Sequence, residues 1–304
     1  MSALRAKRLR WRDALDLKIR TEYKAPVISN YQLAVELVKL RAAGAYLGRP
    51  LQMPEHPVDR RMLSEARRAL LDRALLVEDR SLPGAFLRFP ERKDADPVEV
   101  LCAIDPFGCL AYLSAMEFHG LTNRLPRILY FALPDAQSWH RLAIERMRRD
   151  LGELNSIFTE NELPPLRNTK VAKLGGMVVE AIRSKSFGGW RYARNETMRV
   201  TTTGRTFLHM LQRPDLCGGI HHVIEVYVEH AKSHLALIAS EFTQHGTTID
   251  RMRAGYILEE RCGLKDHRVE MWALEASRGG SRKLDPQKEY ASQFSEKWCL
   301  SINV

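Results

Sequence analysis

The chain has 304 residues and a mass of 34.9 kDa, with 47 Lys and Arg against 37 Asp and Glu, a formal net charge of +10 and a pI near 9.5. A hydrophobic content of 45% is enough to form cores, which excludes a wholly disordered chain. No stretch reaches the roughly 18 uncharged apolar residues of a membrane span. Charged residues follow the basic N-terminus where a signal peptide would be apolar. We therefore expect a cytoplasmic protein without membrane contact, and the length predicts two domains.

The positive charge is unevenly placed along the chain. Residues 1–100 contain 20 Lys and Arg and 14 Asp and Glu, so the first third carries +6 of the +10. The two densest basic stretches are residues 5–12 and residues 60–73. Such runs are typical of solvated helix faces, and they are also compatible with a polyanionic partner.

In chain order, the first predicted elements are helical. Residues 1–24 mix apolar and basic side chains, which predicts a short helix or a basic arm, and we treat residues 1–27 as a separate segment. Apolar residues then recur at helical spacing from Tyr31, with Ser29 or Asn30 as the N-terminal cap and Gly44 at the end. A loop with three prolines follows.

The next helix is basic and amphipathic. Asp59 precedes it, and the apolar residues from Met62 to Leu70 share one face, whereas arginines lie on or beside the opposite face. Strand-like runs at residues 75–78 and 85–89 flank a Pro83-Gly84 turn and predict a hairpin. Helix, loop, basic helix and hairpin form the order of a winged helix-turn-helix, which we place at residues 28–95.

This interpretation predicts a DNA interface. The basic helix would face the major groove or its flanking phosphates, the hairpin would contact the backbone, and the N-terminal segment would form an arm. Its predicted contact residues are Arg60, Arg61, Ser64, Arg67 and Arg68 on the helix, Arg80 and Arg88 in the wing, and Arg5, Lys7, Arg8 and Arg10 in the arm. A purely structural module with the same order of elements is the alternative.

The remainder, residues 96–304, is predicted to be a larger mixed α/β domain, which makes the whole chain α+β. The predicted helices cover residues 107–119, 138–151, 205–212, 219–232, 234–244 and 249–262. The predicted strands cover residues 127–133, 176–183, 198–202 and 268–275, and the tail from Gly279 is predicted to be rich in loops.

Three stretches of this second part resemble a known family. Residues 112–121, YLSAMEFHGL, resemble the "lSa…lHGLt" signature of AbiEi-type antitoxins of type IV (abortive infection) toxin–antitoxin systems. Residues 199–208, RVTTTGRTFL, resemble the "rVtspeRTllD" segment of the same family, although His209 stands where that family has an acidic residue. The tail, with GSRKLDP from Gly280 and FSEKWCLSIN from Phe294, is similar to the end of such proteins. The resemblance spans residue 28 to the end.

The resemblance implies a fold and a function. Members of this family join an N-terminal winged helix to a C-terminal antitoxin domain, repress their own promoter, and counter a nucleotidyltransferase-like toxin. By this resemblance the chain is expected to be an antitoxin and autorepressor that binds operator or promoter DNA, pairs with a second copy there, and acts on its toxin directly or functionally. It implies no enzyme activity, cofactor or metal.

Other functions remain open at this point. A nuclease could use Glu180 with Lys185, or Glu270 with Glu275 on a strand, to hold Mg²⁺. The histidines between His221 and His234, with Cys217 nearby, have only a faint metal-site character because no zinc-site spacing follows. A stand-alone winged-helix regulator that senses a small molecule is a further class. The five cysteines form no C-x-x-C pair and are expected to be reduced thiols.

The polar residues of the motifs are expected to support the fold rather than perform chemistry. Ser114 and His119 could form a nucleophilic pair, but no acidic orienting residue is evident, so we expect them to organise the domain around the helix end at Gly120. For Arg205 a buried ion pair or a carbonyl cap is expected rather than nucleotide binding.

Overall fold

The computed structural model describes residues 8–193, 197–276 and 282–304. Arg5 and Lys7 of the predicted arm, and Gly280 and Ser281 of the tail motif, lie outside the described residues. The fold mixes helices and strands, as predicted for an α+β protein. Among the described helices, none combines the length and the apolar character that crossing a bilayer demands.

The described residues form eleven α-helices and thirteen strands. The helices are α1 (Trp11–Glu22), α2 (Asn30–Ala43), α3 (Arg60–Asp72), α4 (Pro97–Ile104), α5 (Tyr112–Phe118), α6 (Ala136–Leu151), α7 (Asn155–Glu160), α8 (Thr203–Gln212), α9 (Ile220–His245), α10 (Thr248–Tyr256) and α11 (His267–Ala273). The strands are β1 (Leu9–Arg10), β2 (Val27–Ser29), β3 (Ala45–Tyr46), β4 (Arg49–Gln52), β5 (Phe86–Arg88), β6 (Cys109–Leu110), β7 (Ile128–Pro134), β8 (Lys173–Leu174), β9 (Met177–Ser184), β10 (Trp190–Ala193), β11 (Met198–Thr201), β12 (Phe294–Ser295) and β13 (Leu300–Ser301). A π-helical turn, Ile257–Arg261, continues α10.

The chain divides into two compact units that are each discontinuous in sequence. Unit 1 comprises Met1–Phe107 and Asp135–Gly176, and unit 2 comprises Gly108–Pro134 and Met177–Val304. This division differs from the predicted boundary at residues 95 and 96. At that predicted boundary the chain begins α4, because the Asp96 side chain accepts a hydrogen bond from the Val98 amide at 2.9 Å and Pro97 is the first helical residue.

Unit 1 is built around a core that begins near the N-terminus. Trp11, Leu15 and Ile19 of α1 are buried, so the described part of the predicted arm is an integral helix of this unit. Helix α2 begins with a capping box between Ser29 and Gln32 and ends at Gly44, whose φ of +64° suits glycine. The predicted caps of this helix are confirmed.

Two small sheets complete the first part of unit 1. Strands β3 and β4 form an antiparallel hairpin, with β1 parallel to β4, where a loop with three prolines was expected. The turn of this hairpin holds Leu47 and Gly48 at positive φ, the conformation of a tight hairpin turn. Strand β2 pairs antiparallel with β5, and Val77 pairs antiparallel with Arg88, so the predicted hairpin around Pro83-Gly84 is present in a shortened form.

Unit 2 contains a sheet whose strands follow the order β10-β11-β6-β7-β9. Its longest pairing is the parallel register of β7 with β9, from Ile128 opposite Val178 to Pro134 opposite Ser184. Helices α8 to α11 and the tail bury the main apolar core of this unit, which includes Phe207, Tyr227 and Trp298. The strands predicted at residues 127–133, 176–183 and 198–202 are therefore confirmed.

Three predictions in this part were wrong. The stretch at residues 268–275 is the helix α11, because Val269 and Trp272 are buried at helical spacing and Asp266 caps the Arg268 amide. The two helices expected on either side of residue 233 are the single 26-residue helix α9. The helix expected over residues 107–119 begins only at Tyr112, after β6.

Gly108, at the start of unit 2, provides a test of how tightly this sheet packs. A Cβ at Gly108 would lie 1.9 Å from Phe131 Cε1 and 2.7 Å from Leu133 Cδ2, and both neighbours are buried. We expect Gly108→Ala to lower the free energy of unfolding by about 3 kcal/mol through overpacking. Gly188→Ala is the matched control in the same unit, because a Cβ there meets nothing within 4 Å. Urea unfolding of both variants measures the difference, and equal stability would contradict this packing.

Candidate nucleic-acid interface

Helix α3 is held in unit 1 by one apolar face. The Asp59 side chain accepts a hydrogen bond from the Met62 amide at 2.8 Å and caps the helix. Met62, Leu63, Ala66 and Leu70 are buried. With about 100° of rotation per residue, burial of this face directs the arginines of α3 outward, as the sequence predicted.

The aspect of α3 directly opposite the core carries balanced charge. Arg61, Glu65, Arg68 and Asp72 are all outside the core there. Glu65 accepts a hydrogen bond from Arg12 at 2.8 Å and lies 3.5 Å from Arg61. The side chain of Arg61 is nevertheless 85% exposed, so this solvent-screened pair holds it only loosely.

A second aspect of α3 carries Arg60, Ser64 and Arg67, all of them already engaged. Arg60 Nε donates to the Glu162 carbonyl at 2.7 Å, and its guanidinium lies 3.5 Å from the Glu162 carboxylate. The Ser64 hydroxyl donates to the Arg60 carbonyl at 2.9 Å. Sequence reasoning identified these residues but not their partners, which lie up to about a hundred positions away.

Arg67 connects α3 to two other segments of unit 1. Its guanidinium donates to Asn30 Oδ1 and to Glu78 Oε1, both at 3.1 Å. Asn30 begins α2, and Glu78 follows the Val77 bridge. Arg67 therefore fixes the geometry of α3 against its neighbours, whereas exposed Arg68 has no protein partner among the described residues.

A cleft of about 690 Å³ lies beside this second aspect, and we call it the α3 cleft. Residues from four segments of unit 1 line it: Ser29, Asn30, Tyr31, Arg60, Leu63, Ser64, Ala85, Phe86, Pro164, Pro165, Leu166, Arg167, Asn168, Thr169 and Lys170. Arg167 and Lys170 are exposed there. Sequence reasoning missed both, because only the Pro164-Pro165 pair marked this stretch as a loop.

The structure separates the two arginines of the predicted wing. Arg80 is exposed in the turn between Val77 and β5. Arg88 is only 9% exposed and forms an ion pair with Asp79. Partial burial opposes ionisation of Asp79, but hydrogen bonds from Ser81 and Arg88 outweigh it and lower the pKa of that carboxyl. Arg88 therefore stabilises the turn, and its charge is already balanced.

The described residues of the predicted arm lie at the start of the fold. Arg8 and Arg10 are both exposed, and Arg10 belongs to β1, which pairs with β4. Arg10 lies at the surface beside Gln52 and Met53 of the β3–β4 hairpin, where they line a second, smaller depression of about 340 Å³. Both arginines are accessible on a folded segment.

In unit 2, the polar residues of the first motif hold the sheet together. The Ser114 hydroxyl donates to the Ile128 carbonyl at 3.3 Å and accepts from the Tyr130 amide at 3.0 Å. His119 Nε2 lies 2.7 Å from the Thr201 carbonyl, and Gly120 ends the turn at a φ of +67°. The expected structural role of this pair is confirmed, since each residue bonds to a different strand.

Arg205 and His209 of the second motif are buried side by side in α8. Arg205 Nε lies 2.7 Å from Glu241 Oε1, which confirms the expected buried ion pair. His209 stacks on Tyr112 with ring centroids 4.7 Å apart, and its Nδ1 has no hydrogen-bond partner among the described residues. Burial, with the nearby Arg205 charge, lowers the pKa of His209 to about 3. The imidazole is therefore neutral in the folded protein at neutral pH.

The residues of the alternative metal-dependent functions are dispersed. Glu180 is exposed on β9, Glu270 lies on the helix α11 rather than on a strand, and Glu275 pairs with Arg251. His222 bonds to the Thr122 hydroxyl at 3.0 Å. Across the part of the chain that the structure describes, His, Cys, Asp and Glu side chains form no group of three or more that could hold a metal ion. All five cysteines are free thiols.

His209 makes the stability of unit 2 sensitive to acid. Since its pKa falls from about 6.5 when unfolded to about 3 when folded, the unfolded chain binds a proton that the folded chain does not. Its contribution is complete above pH 6.5 and is lost as the pH falls towards 3, by up to about 1.4 kcal/mol per pH unit. We expect His209→Phe, which preserves stacking on Tyr112, to flatten the slope of unfolding free energy between pH 6 and 4. An unchanged slope in urea titrations would show that other groups cause the acid sensitivity.

No family model matches the chain, and no curated protein matches it. Among solved structures, the chain is similar to the crystal structure of the RV2827C protein from Mycobacterium tuberculosis, with a TM-score of 0.48 and 15% sequence identity over 98% of this chain and 94% of that one.

Proposed function

We propose that unit 1 is a winged-helix DNA-binding module. The observation that carries this proposal is the order and pairing of its elements: α1, β2, α2, the β3–β4 hairpin, α3, the Val77 bridge and β5. Strand β2 pairs antiparallel with β5, and Val77 pairs antiparallel with Arg88 at the end of β5. In helix-turn-helix proteins the second helix of the motif enters the major groove. In unit 1 residues 44–59, which include the β3–β4 hairpin, connect the two helices. Here that helix is α3, and its inward face is apolar whereas its outward residues are rich in arginine.

The exposed cations around α3 are the contacts that this proposal assigns to DNA. Arg61 and Arg68 project from the helix, Arg80 lies in the adjacent turn, and Arg8 and Arg10 lie at the start of the fold. A B-DNA major groove about 12 Å wide admits one α-helix. Arginines that contact phosphates release counterions, so the affinity would fall steeply as the salt concentration rises.

The biological role that we propose is that of an antitoxin and autorepressor of a type IV toxin–antitoxin system. The resemblance of residues 112–121 and 199–208 to AbiEi-type sequences carries this part. The residues of these motifs support the core of unit 2: Ser114 and His119 bond to strands, and Arg205 pairs with Glu241. The motif residues thus have structural roles in unit 2. The expected partner, a nucleotidyltransferase-like toxin, is implied by the resemblance.

The first experiment measures binding of the purified chain to its own upstream DNA and to a shuffled sequence of the same length. We expect preference for the upstream DNA at two salt concentrations. The variant Arg68→Ala/Arg80→Ala removes two exposed cations, so the slope of log K against log salt should become shallower by about 2.

The matched control is Lys39→Ala/Arg149→Ala, which removes the same charge from exposed positions on α2 and α6. We expect the control to retain nearly the wild-type slope. A chain that binds both DNAs equally is no repressor. If the two double variants weaken binding to the same extent, the α3 surface does not contact DNA.

The second experiment tests the antitoxin role by expression in growing cells. We expect the gene next to that of this chain to arrest growth when expressed alone, and co-expression of this chain to restore growth. A chain with Arg68→Ala/Arg80→Ala should still restore growth when both genes are under foreign promoters, because unit 2 carries the antitoxin action. DNA binding without any rescue would instead favour the stand-alone regulator.

A further inference from the structure

We propose that the α3 cleft binds one phosphate backbone of the DNA, with Arg167 and Lys170 as its phosphate contacts. This inference deepens the proposed DNA binding and rests on it. It assigns a role to a stretch that follows α7 and lies about a hundred residues beyond the helix it faces.

The composition of the cleft wall supports an anionic ligand. Its fifteen lining residues include three cations, Arg60, Arg167 and Lys170, and contain no Asp or Glu. The lining also includes neutral polar side chains, most of which already donate hydrogen bonds within the protein: Ser29, Asn30, Tyr31, Ser64, Asn168 and Thr169. Arginine and lysine with neutral hydrogen-bond donors are the groups that contact phosphates in protein–DNA complexes. The aspect of α3 opposite the core differs, because Glu65 and Asp72 accompany its arginines there.

Arg167 and Lys170, the two cations of the cleft that the sequence did not reveal, are available to a ligand. Both are exposed, and their side chains have no hydrogen-bond or ion-pair partner among the described residues. They follow Pro164-Pro165, whose fixed φ angles keep this part of the wall extended. The Asn168 amide donates to Asp105 Oδ2 at 3.0 Å, which ties the stretch between the two cations to the end of α4. The wall is therefore anchored while its charges remain accessible.

The volume of the α3 cleft limits the size of the ligand that can enter it. A volume of about 690 Å³ lies within the range of small-ligand sites, roughly 300–1,000 Å³. A whole duplex does not fit into such a space, but a few consecutive nucleotides of one backbone do. A strand that follows the cleft would run alongside α3 and place the adjacent base edges near its outward residues.

Glu162 modulates this site from its edge. Its backbone carbonyl orients Arg60, and its carboxylate, which is 76% exposed, lies 3.5 Å from that guanidinium and offsets part of the charge. Removal of the carboxylate alone would preserve the carbonyl contact and leave the Arg60 charge to the ligand. Glu162→Gln is therefore expected to tighten DNA binding.

The test compares Arg167→Ala/Lys170→Ala with the control Lys39→Ala/Arg149→Ala in the full-length chain. The probe is the upstream DNA duplex, titrated at several salt concentrations. We expect the cleft variant to bind at least about tenfold more weakly than the control at low salt, and its salt slope to be shallower by about 2. Glu162→Gln should bind about threefold or more tightly than wild type. Circular dichroism and melting temperature check that each variant is folded.

The outcomes distinguish a failure of the cleft proposal from a failure of the proposed DNA binding. If wild type binds DNA and the cleft variant behaves as the control does, the cleft is not a phosphate site although DNA binding stands. If Glu162→Gln binds no more tightly than wild type, Arg60 does not act in the cleft as proposed. If wild type shows no DNA binding, the proposed function fails and the cleft proposal fails with it.

Discussion

Burial of Met62, Leu63, Ala66 and Leu70 holds α3 in the core of unit 1, and the directions of its arginines follow from that burial. A helix with one apolar face has no freedom to rotate without exposing that face to water, at a cost of about 25 cal/mol for each Å². The same constraint fixes which residues meet solvent, which meet Glu162, and which meet Asn30 and Glu78.

The two exposed aspects of α3 differ in charge, and this difference organises the functional interpretation. On the aspect away from the core, acidic residues at helical spacing balance Arg61 and Arg68. In the cleft, Arg60 of α3 is joined by Arg167 and Lys170 of a distant segment, and acidic residues are absent from the lining. The fold thus brings cations from two distant segments together at one cleft.

The sequence was sufficient to predict elements with a strong local signal. Helix α3 has both a cap at Asp59 and a regular apolar face, and strand β7 is a continuous apolar run that is mostly buried, so local physics specifies each of them. Helix α11 was mistaken for a strand because polar and apolar residues alternate from Arg268 to Met271, whereas burial follows the spacing of Val269 and Trp272. Short segments of this kind are decided by tertiary packing.

Only the α3 part of the candidate site could be predicted from the sequence, because the rest of the site depends on contacts between distant segments. Residues of one helix share a face through local geometry, so the arginines of α3 could be identified together. The approach of Arg167 and Lys170 depends on how residues 135–176 fold back into unit 1, and no local pattern encodes that. Likewise, the ion pair of Arg88 with Asp79 and the bonds of Arg67 arise from the tertiary fold, and they separate structural arginines from available ones.

Hydrogen–deuterium exchange of the full-length chain, with and without its upstream DNA, tests the central claim most directly, because it reports which backbone amides the ligand shields. The account predicts that DNA slows exchange in peptides that cover residues 60–73 and 164–170, both in unit 1. Slower exchange confined to residues 108–134 and 177–304, with no change at α3, would contradict it.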